Sequence, residues 1–279
     1  MGFDTGEKVG IVVAIVCVAG LIGIKVWAKA GGGYFMRIGN TEIEIQYDHA
    51  SINYGAQSAM AIPWRFDRNK APQCVQELTD LDTPLHQVTL LRNGEENYHL
   101  FVENAGCGDC MLYVLVLYLC LDGAHGTPPS IEALRGILDS YIRLYRGNVA
   151  FGPSDTLADW AVAENLIPSR DMTYGAIESH LVQPYTGRGI APTFADMGVP
   201  LTFLHLKAFA CAYNTKVRVW KNEAGLAVTM LVPAGDLLPT NMLFPDEDGA
   251  PFCNVFVATT STGGHIMLLG ALLTHRREM

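Results

Sequence analysis

GCGDCMLYVLVLYLCL, residues 106–121, is the stretch on which the fold turns. From Met111 to Leu121 the chain has no polar break apart from Tyr113 and Tyr118. That run is too short to span a bilayer comfortably. Apolarity on every side marks a helix enclosed in a core, so the spacing predicts a central buried helix. Gly108, Asp109 and Cys110 lead directly into it and place Cys110 at or beside the helix N-terminus. The unpaired N–H groups and the positive dipole end found there favour a thiolate. The glycines let the backbone approach a substrate and turn the amides of Gly108, Asp109 and Cys110 toward a developing oxyanion. A small-residue turn, a cysteine and an apolar helix form the layout a thiol protease needs. The plainer reading is a buried cysteine just inside a helix. A third is redox chemistry, because Cys107 and Cys110 have CxxC spacing, although the β-α-β context usual for such pairs is not evident.

Working outward, residues 99–102 read as a short strand and 104–106 as a turn. Pro129 and Ser130 open an amphipathic helix in which Ile131, Leu134, Ile137, Leu138, Tyr141, Ile142 and Tyr145 recur at helical spacing, with Gly147 as its stop. Further helices are expected over 155–166 and over 200–213, the latter with Pro200 in its first turn. Alternating segments at 216–220, 226–231, 254–259 and 265–269 read as strands, the last after a Gly263-Gly264 turn. Residues 31–95 hold short alternating pieces such as Glu42-Ile43-Glu44-Ile45 and read as a β-rich extension or linker. The expected architecture is therefore α+β, a small β-sheet flanked by helices, with its main domain at 96–279.

The N-terminus has a different character. Residues 9–28 form a nearly unbroken apolar run of 20 residues, about the length of a transmembrane helix. Ala28-Lys29-Ala30 has the form of a signal cleavage site, but the leading MGFDTGEK carries Asp4 and Glu7 and makes a poor positive flank. Lys25, Lys29 and Arg37 follow the run instead. Residues 1–30 are thus read as an uncleaved single-pass anchor, with the rest of the chain facing the cytoplasm. The net charge is −9, and no dense Lys/Arg cluster occurs, which argues against a nucleic-acid partner. Seven cysteines, mostly within apolar segments, suit a reducing compartment. No Cys/His set has zinc spacing and no phosphate-binding glycine loop is present, so neither metal nor cofactor is expected.

The set of motifs resembles the ovarian-tumour (OTU) family of cysteine proteases. Gly108, Asp109, Cys110, Met111 and Tyr113 match the nucleophile motif of that family. Leu206-Lys207-Ala208-Phe209-Ala210, Val217-Arg218-Val219 and Gly264-His265-Ile266 follow in the family's order, so that the resemblance runs from about Tyr98 to Leu273. It implies a papain-like OTU-type fold and a deubiquitinase that cuts isopeptide or peptide bonds after a ubiquitin-type Gly-Gly tail. Cys110 would be the nucleophile, His265 the general base, and the backbone of Gly108, Asp109 and Cys110 the oxyanion site. Ubiquitin or a ubiquitin-like protein would be the partner, and residues 9–28 the contact with the membrane. Three positions depart from the pattern. Ile266 stands where the family has an aromatic residue after the histidine. Cys107 stands where the family has Asp. Met267 stands where a carboxylate or amide often orients the histidine. Ser261, Thr262, Asn254 and Asn104 are polar alternatives, so the third triad member stays open. His99 is the fallback base, and His205 reads as structural or surface. The departures also leave room for a catalytically silent ubiquitin-binding or membrane-scaffold module.

Overall fold

In the computed structural model the described residues are 33–47, 64–83, 85–92, 95–104, 108–145, 162, 167–169, 171–183, 192–223, 227–230, 253–260 and 263–275. The proposed anchor at 9–28, Cys107, Ser261, Thr262 and all of the expected 155–166 helix except Val162 lie outside them. Among the described residues no helix is long and apolar enough to cross a membrane.

The apolar run forms the expected helix, here α2 (Cys110–Asp122), preceded in the chain by the short α1 (Gln73–Leu78). Gly123 ends α2 in the left-handed conformation at φ 69°, and its N–H returns to the Leu119 carbonyl, the usual glycine device for closing a helix. Nearly every α2 side chain from Met111 to Asp122 is buried. Two kinds of neighbour enclose it. One side packs on the sheet and the other on α1 and α3 (Ile131–Tyr145). Helix α3 is amphipathic as predicted, and it turns Leu134, Arg135, Leu138, Asp139 and Ile142 inward. Helix α4 (Tyr174–Val182) follows, then α5 (Phe203–Ala212). The latter starts after Pro200 because Thr202 is its N-cap, with the Thr202 amide donating to His205 Nδ1 at 3.1 Å.

The sheet departs from expectation in size. Among the described residues it has nine strands rather than a few, drawn from both ends of the chain. They are β1 (Gly33–Ile38), β2 (Thr41–Tyr47), β3 (Trp64–Phe66), β4 (His86–Arg92), β5 (Glu95–Val102), β6 (Val217–Glu223), β7 (Ala227–Met230), β8 (Cys253–Thr260) and β9 (Gly263–His275). The β-rich segment before residue 96 is hydrogen-bonded into this sheet. Strand β1 pairs with β9, and β4 pairs with both β5 and β7. The chain is thus a mixed α/β protein.

Strand β9 organises the whole sheet. Leu268 pairs with Val102 of β5 and also with Val255 of β8, so those two strands lie on its opposite edges. The order β9-β5-β4-β7-β6-β8 returns to β9 and closes a six-stranded ring. A single parallel bridge, Leu90 to Val228, joins β4 to β7. Alternation then separates two faces. Leu100, Val102, Val217, Val219, Cys253, Val255, Ile266 and Leu268 enter the large core beneath α2. Trp220, Phe256, Met267 and Leu269 form a second, smaller cluster, with Phe101 and Ala258 against it.

Gly270 lets β1 lie close on β9. A Cβ there would sit 2.2 Å from Met36 Cγ and 2.5 Å from its sulfur, and Met36 is fully buried. Gly270→Ala is expected to destabilise the fold by about 1–3 kcal/mol through overpacking. Met36→Ala in that background is expected to recover part of the loss. A chemical-denaturation double-mutant cycle would then show a coupling of about 1 kcal/mol or more. Additive effects would mean that the two residues do not compete for the same space.

Candidate active site

The α2 N-terminus is built by its neighbours as well as by its own sequence. Gly108 takes φ +87°, Asp109 is the N-cap, and Cys110 is the first helical residue, a half-buried free thiol. The side chain of Asp109 does not cap the helix. Its carboxylate instead accepts from the Gly198 amide, with both oxygens at 3.0 Å, and from Arg135 Nη2 at 2.5 Å. Arg135 comes from the inner face of α3 and is 1% exposed. Its guanidinium also reaches the carbonyls of Phe194 at 2.7 Å and Val199 at 2.8 Å. The Gly198 carbonyl lies directly against Gly108, where a Cβ would meet it at 2.0 Å. A segment almost ninety positions downstream is therefore fixed beside the thiol-bearing turn.

His265 enters from β9. Its Nε2 bonds Glu103 Oε1 at 2.5 Å, and its side chain is 22% exposed. Glu103 immediately follows β5 and begins the connection into α2. The next residue, Asn104, donates to the Ile266 carbonyl at 2.7 Å. Glu103 and Asn104 together fasten the start of β9 to the segment that leads to Cys110. Alternation sends Ile266 into the core beneath α2 and gives His265 the other face, whereas Cys110 packs on the large core. Among the described residues no hydrogen bond joins Cys110 to His265. The fold fastens His265 to the connection that leads to Cys110 and leaves the thiol–imidazole contact unmade.

The other polar candidates have separate occupations. Asn104 holds the backbone of β9, Asn254 accepts from the Trp220 indole at 3.3 Å, and Met267 belongs to the second cluster. Glu103, which the sequence reading did not single out, is the group that engages the imidazole. The bond spans 162 positions, so no local spacing could announce it. Its only sequence signal is its position at the end of the strand that feeds the cysteine turn.

The two other histidines considered from the sequence, His99 and His205, are structural. His99 lies beside Trp220, with ring centroids 6.4 Å apart, on the face opposite the core in which Cys110 packs. Its Nδ1 is buried without a hydrogen-bond partner among the described residues. Burial holds its pKa down at about 4. His205 is buried rather than on the surface, with its ring against Phe194. Burial first, and then the charge of Arg135, hold its pKa down at about 3. Both values lie below the ordinary 6.5, so the unfolded chain binds more protons than the folded one as pH falls. The stability present above about pH 6.5 is therefore expected to decline on acidification by about 1.4 kcal/mol per pH unit for each of these histidines. Denaturant midpoints between pH 7.5 and 5 would show it. His99→Phe should flatten the slope by one proton's worth, and an unchanged slope would contradict the assignment.

No family model, curated protein or solved structure matches the chain. Functional assignment therefore rests on the residues and geometry of this site.

Proposed function

We propose that this protein is a thiol hydrolase of the OTU type, a deubiquitinase acting after the Gly-Gly tail of ubiquitin or a ubiquitin-like protein. The observation that carries the reading is the His265–Glu103 pair, fastened to the connection that presents Cys110 at the head of α2. A cysteine at a helix N-terminus and a histidine oriented by a carboxylate are the parts that nucleophilic catalysis requires. With Nε2 held by Glu103, Nδ1 is the nitrogen left to take the Cys110 proton. The sulfur then adds to the scissile carbonyl. The amides of Gly108, Asp109 and Cys110 receive the oxyanion. Collapse expels the amine, which carries away the proton from His265, and leaves a thioester. Water, deprotonated by His265, hydrolyses that ester and restores the thiol. The proton transfer requires the start of β9 to move relative to α2, because alternation gives His265 the face opposite the core on which Cys110 packs. The reading also places the domain on the cytoplasmic side of a membrane through residues 9–28, which the sequence alone supports.

The open Cys110–His265 contact favours a second reading, a ubiquitin-binding module without turnover. Ubiquitin carrying an electrophilic C-terminus separates the two. The hydrolase is expected to form a covalent adduct that maps to Cys110 and is lost in Cys110→Ala. Binding without an adduct assigns the silent module, and neither binding nor adduct removes ubiquitin as the partner.

A further inference from the structure

Arg135 has no place in the chemistry above, yet it is the most completely enclosed charge beside the site. A buried arginine is tolerated only when its donors find acceptors. Here Nε has no acceptor among the described residues, while Nη1 and Nη2 find acceptors in two separate parts of the chain. One is the Asp109 carboxylate, adjacent to Cys110. The others are the carbonyls of Phe194 and Val199, which bracket the 194–199 loop. The loop is tied down at further points. The Phe194 amide donates to Glu178 at 3.0 Å, its ring packs on His205, and the Gly198 amide returns to Asp109. A planar guanidinium presents several donors in a rigid fork, and a lysine ammonium does not. Only the fork can span both parts at once.

We propose that Arg135 is the positioning residue of this site: it locks the 194–199 loop onto the Gly108–Cys110 turn, and the locked loop forms part of the surface on which the substrate's extended C-terminal tail docks beside Cys110. The inference rests on the hydrolase reading. Its role is to hold the docking surface, and Arg135 does not touch the reacting atoms. Loss of the fork should therefore impair a protein substrate far more than a small thiol reagent.

The test uses the full chain with Arg135→Lys, which keeps the buried charge, and Arg135→Met, which keeps the aliphatic bulk and removes the fork. Three measurements are made on variants shown to be folded by circular dichroism. They are amide exchange at Gly198 and Val199, the rate of Cys110 alkylation by iodoacetamide followed by peptide mapping, and the rate of adduct formation with electrophilic ubiquitin. In both variants the loop amides are expected to exchange at least about tenfold faster. The ubiquitin reaction should slow by about tenfold or more, and alkylation should stay within about twofold. Equal slowing of both Cys110 reactions overturns the proposal, because Arg135 would then merely maintain the fold. Faster loop exchange with an unchanged ubiquitin reaction also overturns it, because the loop would then not be part of the docking surface. If wild type gives no ubiquitin adduct, the hydrolase reading has failed on its own account. Amide exchange then decides the lock alone, and unchanged exchange in Arg135→Lys refutes it.

Discussion

His265→Ala is expected to lower hydrolysis of a ubiquitin C-terminal amide by about 10²–10⁴-fold, the range typical of a lost general base, without loss of fold. The side chain is partly exposed, ahead of the buried residues Ile266, Met267, Leu268 and Leu269, so its removal opens no cavity in either core. Its one polar partner among the described residues, Glu103, is itself 37% exposed and can turn to water. Stability should therefore change little. Glu103→Gln is expected to cost less, about 10²-fold, because the base remains but its orientation is loosened. The ordering of the two variants is the informative result. On the hydrolase reading both lose turnover and both retain ubiquitin binding. On the silent-module reading neither variant changes anything measurable beyond binding. A His265→Ala protein that hydrolyses as fast as wild type would remove His265 from the chemistry and leave Cys110 without an assigned base.

Helices were more legible in the sequence than the sheet, for a physical reason. Helical signals are local. The run at 111–121 and the repeat of Leu134, Leu138 and Ile142 each carry their own evidence of burial, and α2 and α3 lie where the pattern places them. A sheet's signal is divided among strands that meet only after folding. Nothing in Tyr34-Phe35-Met36 shows that it will pair with Leu272-Leu273-Thr274. Nor does Gln87-Val88-Thr89 show that its strand will help close a ring. The alternating pieces in 31–95 could be recognised as β-rich, but their partners could not.

The site divides along the same line. Cys110 is legible because its turn and helix are contiguous, and His265 because it follows a glycine pair, although Gly263 and Gly264 are the first paired residues of β9 rather than the expected turn. Glu103 and Arg135 are not legible. A glutamate at a strand end reads as solvated. An arginine between Leu134 and Gly136 reads as the polar edge of an amphipathic helix, yet it is 1% exposed. Each owes its importance to partners far along the chain. Asp109 was expected to contribute only its amide, and its carboxylate is the hub of the contacts behind the turn.

That hub sets the second large effect, at Gly108. Alanine there meets two separate obstacles. The backbone sits at φ +87°, a region that costs a non-glycine residue about 1–3 kcal/mol. The new methyl would also lie 2.0 Å from the Gly198 carbonyl oxygen and 2.5 Å from its carbon. Both of those atoms are backbone, so no flexible side chain can yield. Either the start of α2 or the Gly198 peptide must move. Moving Gly198 strains its amide bonds to Asp109 and, through Asp109, the buried Arg135. Overpacking of this kind adds about 1–3 kcal/mol. Gly108→Ala is therefore expected to lower Tm by on the order of 10 °C and to abolish Cys110 reactivity toward ubiquitin even where the protein still folds. Gly126→Ala isolates the conformational part, because Gly126 has φ +72° and open space around the position of its missing Cβ. The excess loss in Gly108→Ala over Gly126→Ala then measures the contact with Gly198. If the two variants melt together, that contact yields without cost, and the turn before Cys110 is not held by the 194–199 loop.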